Sequence, residues 1–188
     1  MKGKMKGKFE SEDKTVNMTF RIKKETLEKI RHYADTKDST INSVINQFLA
    51  QVLDWDILAA KAGWVPIPKN ALINILDEVD ENNISKLAEK NGKTIPNDFL
   101  LAMKGRLDIR DLLEINKNRA YAAGFGFSEI LEDDHLRVII QHDMGIKWSN
   151  YFMKFYDEGF KSLGCNAEFE ITDNTLVYKI NKKYYNKK

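Results

Sequence analysis

The chain has 188 residues, 43% hydrophobic and 31% charged, which is the balance of a globular protein and excludes a low-complexity chain. Its apolar runs fall short of the roughly 20 residues of a membrane helix, and the first eight residues lack the apolar stretch of a secretory signal. Its one cysteine, Cys165, excludes an intrachain disulfide, so a cytoplasmic location with no membrane contact is the expectation.

The net charge of +2 is unevenly spread. Residues 1–31 carry ten Lys/Arg against five Asp/Glu, whereas residues 77–134 carry eight basic against thirteen acidic. A cationic end on a near-neutral chain points to a polyanionic partner for that end. Residues 1–13, with a repeated Met-Lys-Gly-Lys, are expected to be a disordered basic tail. Val16, Met18, Phe20 and Ile22 then alternate with Asn17, Thr19 and Arg21, the period of a half-buried strand. Leu27, Ile30 and Ala34 recur at helical spacing and predict a helix over residues 24–36. A turn at 36–39 follows, with Ser39 or Thr40 as cap of a second helix. The apolar positions of that helix are Ile41, Val44, Ile45, Phe48, Leu49, Val52, Leu53 and Trp55. It runs toward Lys61, and Gly63 offers a stop.

Pro66 and Pro68 make residues 63–68 read as a linker. Beyond it, helices are expected at 69–79, 83–91, 96–104 and 109–122. A strand is expected at 136–141, and a helix rich in aromatics at 148–163. Alternation at 167–171 and 176–180 around Asp173 and Asn174 predicts a hairpin. The expected fold class is α+β, in four parts. The tail at 1–13 precedes a strand–helix–helix module at 14–62. The linker at 63–68 leads to an α+β sensing or oligomerisation domain with a small antiparallel sheet at 69–188.

A lone strand with one apolar face needs a partner for its unpaired N–H and C=O groups. The two elements after it are helices, so a second copy of the chain is expected to supply the partner. In such a two-stranded ribbon Asn17, Thr19 and Arg21 project together, and a ribbon of this width fits the major groove of double-stranded DNA. Residues 14–60 resemble the ribbon-helix-helix repressors of the Arc, MetJ and CopG type. The resemblance rests on the alternation from Asn17 to Ile22, on Leu27, Ile30 and Ala34, and on the turn into Ser39, Thr40, Ile41, Asn42 and Ser43. It implies base contacts from Asn17, Thr19 and Arg21. It also implies phosphate contacts from the start of the second helix, at Thr40, Ile41, Asn42 and Ser43, where helix-end N–H groups favour an anion independently. Lys24 is expected to meet phosphate as well. Two positions depart from the family: Lys23 stands where a proline is frequent, and Asp38 where a glycine is frequent.

The second region carries no Gly-rich phosphate loop, nucleophile elbow or His-Glu-x-x-His, so no catalysis is expected. Gly124 and Gly126 are expected to shape a turn. His32, His135, His142 and Cys165 would make a metal site only if the fold gathered them. The sequence lacks the spaced histidines of nickel-responsive ribbon-helix-helix regulators, so neither metal nor cofactor is expected. His142, Gly145, Lys147 and Ser149 lie at a strand-to-helix junction and are the candidate ligand site, against a packed connection with Trp148 in the core, which is the favoured reading. Tyr151, Phe152, Phe155, Tyr156 and Phe160 form a stripe that suits a core or an apolar effector. The combined expectation is a sequence-specific transcriptional regulator acting as a homodimer or larger homo-oligomer, with an unidentified small-molecule effector. The alternative is an antitoxin-like DNA-binding protein, which the apolar periodicity of the second region disfavours.

Overall fold

The computed structural model describes residues 15–185, so the tail expected at 1–13 lies outside the described residues. The chain divides into two compact units, one up to Ile45 and one from Asn46.

In the first unit, residues 15–23 form neither helix nor ladder within the single chain. Helix α1 spans Lys24–Thr36, and α2, Ile41–Gln51, begins in this unit and runs past Ile45. Ile30, Ala34 and Val44 are buried, and Ile41 and Ile45 pack against them. The spacing of Ile30 and Ala34 places both on one face of α1, which is why that face is the covered one. The turn after α1 closes with Ser39 N–H donating to Ala34 O at 3.0 Å and Asp38 N–H donating to Asp35 O at 3.3 Å. This pairing requires a left-handed residue after the helix, and Asp38 takes that role with φ 47.

The second unit is a mixed helix and sheet fold, as expected of an α+β chain. It holds a π-helical turn Val52–Asp56, α3 (Ile57–Lys61), α4 (Lys69–Asp77), α5 (Glu81–Lys104) and α6 (Ile109–Ala122). Then come β1 (Gly126–Leu131), β2 (His135–Gln141), α7 (Ile146–Ser162), β3 (Ala167–Ile171) and β4 (Thr175–Asn181). The strands form one antiparallel sheet in the order β1-β2-β4-β3, two hairpins joined through α7. Leu136, Val138 and Ile140 stand opposite Ile180, Tyr178 and Leu176 in register. Their shared face meets Phe160 and Tyr156 of α7 in the core. Asp80 accepts from Asn83 N–H at 2.9 Å and Asp108 from Arg110 N–H at 2.8 Å, so each of the two long helices before the sheet starts on an aspartate cap.

Three elements differ from the sequence reading. The helices expected at 83–91 and 96–104 are one helix, α5, with Pro96 inside it. Proline removes the bond to the Gly92 carbonyl, yet Pro96 and Gly92 are buried and packed on α7, and that packing outweighs local propensity. Strand β1 covers residues 126–131, where a turn around Gly124 and Gly126 was expected. It is an exposed edge strand without strict alternation, ending in the adjacent apolar pair Ile130 and Leu131. Trp55 and Ala59 were expected in the first module. They belong instead to the core of the second unit, with Leu100, Met103 and Leu112. Among the described residues no helix is long and apolar enough to cross a membrane.

Candidate functional site

The residues expected to read DNA are all in place to be reached. Asn17, Thr19, Arg21 and Lys24 are exposed, and so are Thr40, Asn42 and Ser43, while Ile41 is half-buried. Lys24 lies 3.9 Å from the Glu28 carboxylate, one turn on. Thr40 caps α2: its Oγ1 accepts from Ser43 N–H at 3.1 Å. The cap takes the Ser43 N–H, and the start of a helix is where an anion is favoured by the remaining N–H groups and the dipole. Lys23, in the position where the resembled family often has proline, has φ −64, the value a proline ring enforces.

The candidate quartet at the β2–α7 junction is partly gathered and partly not. His142 and Ser149 are both fully buried and bonded to each other, Nε2 to Oγ, at 2.9 Å. Met144 N–H donates to His142 Nδ1 at 3.1 Å, so Nδ1 is the acceptor and Nε2 carries the proton. Ser149 O–H passes the chain on to Thr172 O at 2.6 Å. Burial holds the His142 imidazole down to a pKa of about 4, with Asp143 opposing and Lys69 adding to the shift. Gly145, with φ 86, donates its N–H to Asn174 Oδ1 at 3.0 Å. Lys147 turns away and closes α4, donating to Asp77 O at 2.6 Å and Val79 O at 3.0 Å. These groups thus meet protein partners and tie β2, α7 and the β3–β4 turn together. Among the described residues no three His, Cys, Asp or Glu side chains lie together as metal ligands. Burial also pushes the Cys165 thiol up to about 11, which leaves it protonated and unreactive at neutral pH.

A cavity of about 780 Å³ lies in the second unit, within the roughly 300–1,000 Å³ of small-molecule sites. Its walls are mostly apolar and aromatic. Trp55, Trp64 and Phe99 form a T-shaped series with centroids 5.5 and 5.6 Å apart. The π-helical turn sets Trp55 on this wall, and such turns recur at functional sites. Across from them α7 contributes Trp148, Phe152 and Phe155. The polar side chains of the lining are Asn116 and Arg119 of α6, with Gln51, Asp56 and Lys69. The Arg119 guanidinium bonds the Tyr156 hydroxyl and lies over the Phe152, Phe155 and Tyr156 rings at 5.5, 5.7 and 5.1 Å. No carboxylate pairs with it among the described residues.

No family model and no curated protein matches the chain.

Three lining residues carry a buried donor without an acceptor: Arg119 Nε, Trp148 Nε1 and Asn116 Nδ2. The Asn116 amide faces the Tyr178 hydroxyl without reaching hydrogen-bond geometry, so Arg119 and Trp148 are the stronger pair. Sequence reasoning placed Trp148 in the core and passed over Arg119. The available signal was position: Leu112, Asn116 and Arg119 recur at helical spacing along the buried side of α6, and a cation there is out of keeping with a plain core.

Proposed function

We propose that the chain is a sequence-specific DNA-binding transcriptional regulator. It acts as a dimer through a ribbon built from residues 16–22, and its second unit senses an effector or oligomerises. The observation that carries this reading is the uncovered apolar series at the start of the chain. Val16, Met18 and Phe20 are 86%, 81% and 53% exposed, directly before two helices whose cluster has three buried residues among the described ones, Ile30, Ala34 and Val44. Four alternating apolar side chains in water, beside so small a core, gain stability only by meeting another copy. The left-handed φ of Asp38 and the proline-like φ of Lys23 fit the same reading, because the two departures from the resembled family keep its backbone. The second unit has its own large core, which weighs against an antitoxin tail that orders only on a partner.

Binding titrations of the full chain on a selected operator and on scrambled DNA, at two salt concentrations, test the reading. Arg21→Ala is expected to cost about 1–3 kcal/mol per lost bidentate contact and to relax preference at one base position. Lys24→Ala is expected to weaken binding on both DNAs alike and to flatten the salt dependence, because phosphate contacts position without reading sequence. Thr40→Ala and Asn42→Ala should behave like Lys24→Ala. Sedimentation of the same full-length protein is expected to give a dimer. A monomer, or an Arg21→Ala variant as tight and selective as the parent, would remove the ribbon as the reading surface.

A further inference from the structure

We infer that the cavity of the second unit binds a lipophilic monocarboxylate, its carboxylate held by Arg119 and Trp148 and its apolar body lying against Trp55, Trp64 and Phe99. The site stands on the second unit alone; only its role as the effector site rests on the regulator proposed above.

The charge balance selects the head group. The charged residues of the lining are Arg119, Lys69 and Asp56, a net charge of +1; Lys69 donates to His142 O and Asp56 accepts from Gln51, which leaves Arg119 as the cation with an unmade donor. One side of its guanidinium is taken by Tyr156, while Nε is buried and without an acceptor. A buried donor left unmade costs about 1–3 kcal/mol, and more when it is charged. Trp148 Nε1 faces the same deficit in the same lining. A carboxylate answers both, accepting through two oxygens with a single negative charge. A phosphate monoester would bring up to two negative charges to a lining whose net charge is +1. A neutral hydrocarbon would leave both donors unmade. The walls select the body: rings and aliphatic side chains from five helices and the segment after α3 favour a chain or ring without polar substituents.

The three tryptophans of the chain are Trp55, Trp64 and Trp148, and all three line the cavity. Intrinsic fluorescence of the full-length protein therefore reports the site directly. The probes are sodium decanoate and 1-decanol at neutral pH, with stoichiometry from calorimetry. Decanoate is expected to give a saturable change at one equivalent per chain and to bind about ten-fold or more tighter than decanol, the size of one charge-assisted hydrogen bond. Arg119→Gln is expected to abolish that preference while leaving decanol within about three-fold. Trp148→Phe, which keeps a ring and removes the N–H, is expected to weaken decanoate several-fold, and serves if Arg119→Gln does not fold. A response that never saturates, or decanol binding as tightly as decanoate to the unaltered protein, overturns the assignment without need of any variant. A gel shift on the same preparation separates the two readings: decanoate binding without DNA binding keeps the cavity assignment and removes the regulator.

Discussion

Gly92→Leu is expected to destabilise the second unit by about 3 kcal/mol or more, and Gly92→Ala by about 1–3 kcal/mol, although both improve helix propensity by up to ~1 kcal/mol. A Cβ at Gly92 would sit 2.5 Å from the Phe155 carbonyl oxygen, 2.8 Å from Glu158 Cβ and 3.1 Å from Phe155 Cα. Two of those three atoms are backbone of α7, so relief requires the helices to part. Parting them would loosen the aromatic layer that α7 lays on the sheet, where Phe160 and Tyr178 are fully buried with centroids 5.1 Å apart. Gly159 makes the reciprocal approach, but its added Cβ would meet the ring of Pro96 at 3.0 Å, a side chain. Gly159→Ala is therefore expected to cost less than Gly92→Ala. Urea unfolding of the full chain gives the ranking, with Lys86→Ala on the exposed side of α5 as a neutral control. A Gly92→Ala protein more stable than the parent would mean that the two helices are not in backbone contact.

This contact also marks where sequence patterns stop being informative. Helices α1, α4, α6 and α7 and strands β2, β3 and β4 were legible because each has an apolar face of the right period, and a periodic face is what a single layer of core imposes. The break expected between residues 91 and 96 came from Pro96, whose local cost is real. What keeps α5 continuous is a helix some sixty residues later in the chain, and no local window contains it. Strand β1 was missed for the complementary reason. Its neighbour β2 supplies the register, pairing Phe127 with Ile140 and Leu131 with Leu136, while its own residues are mostly exposed and carry little pattern.

The candidate sites divide along the same line. Residues 16–24 and 40–43 stand out in the sequence as a candidate because a DNA-reading ribbon would use residues close together in the chain, and spacing alone can display that pattern. The β2–α7 junction stands out in the sequence because Gly145 and a histidine before a helix are conspicuous. The geometry there uses its polar groups on the protein itself, with Lys147 bound to the end of α4. The cavity was not legible. Its wall is assembled from residues as far apart as Gln51 and Phe155, and one of its cations, Arg119, looks from sequence like any surface arginine of a charged helix. Only the fold shows that the guanidinium lies over three aromatic rings, with no carboxylate paired to it among the described residues.

Lowering the pH from 7 toward 4 is expected to cost the second unit about 3 kcal/mol of stability through His142 alone. The imidazole is held at a pKa of about 4 against an ordinary 6.5, chiefly by burial, with Asp143 opposing and Lys69 reinforcing. The mechanism is local. Nδ1 already accepts from Met144 N–H, so a second proton on the ring would set two donors against each other in a fully buried site. A folded pKa below the unfolded value means that the unfolded chain binds the extra proton more readily. The contribution of neutral His142 is therefore intact above about pH 6.5, falls by about 2 kcal/mol at pH 5, and is lost near pH 4. Asp108 titrates in a different window. The side chain of Arg110 holds its carboxylate at about 2 against 3.8, so its contribution is lost only as pH falls below about 4. Urea unfolding at pH 7, 6, 5 and 4.5, followed by tryptophan fluorescence, isolates the histidine. His142→Gln should lower stability at pH 7 by removing part of the network to Ser149 and Met144, and should flatten the slope between pH 6.5 and 4.5. A parent protein equally stable at pH 7 and 5, or a His142→Gln variant with the parent's slope, would show that this ring is not what couples the fold to protons.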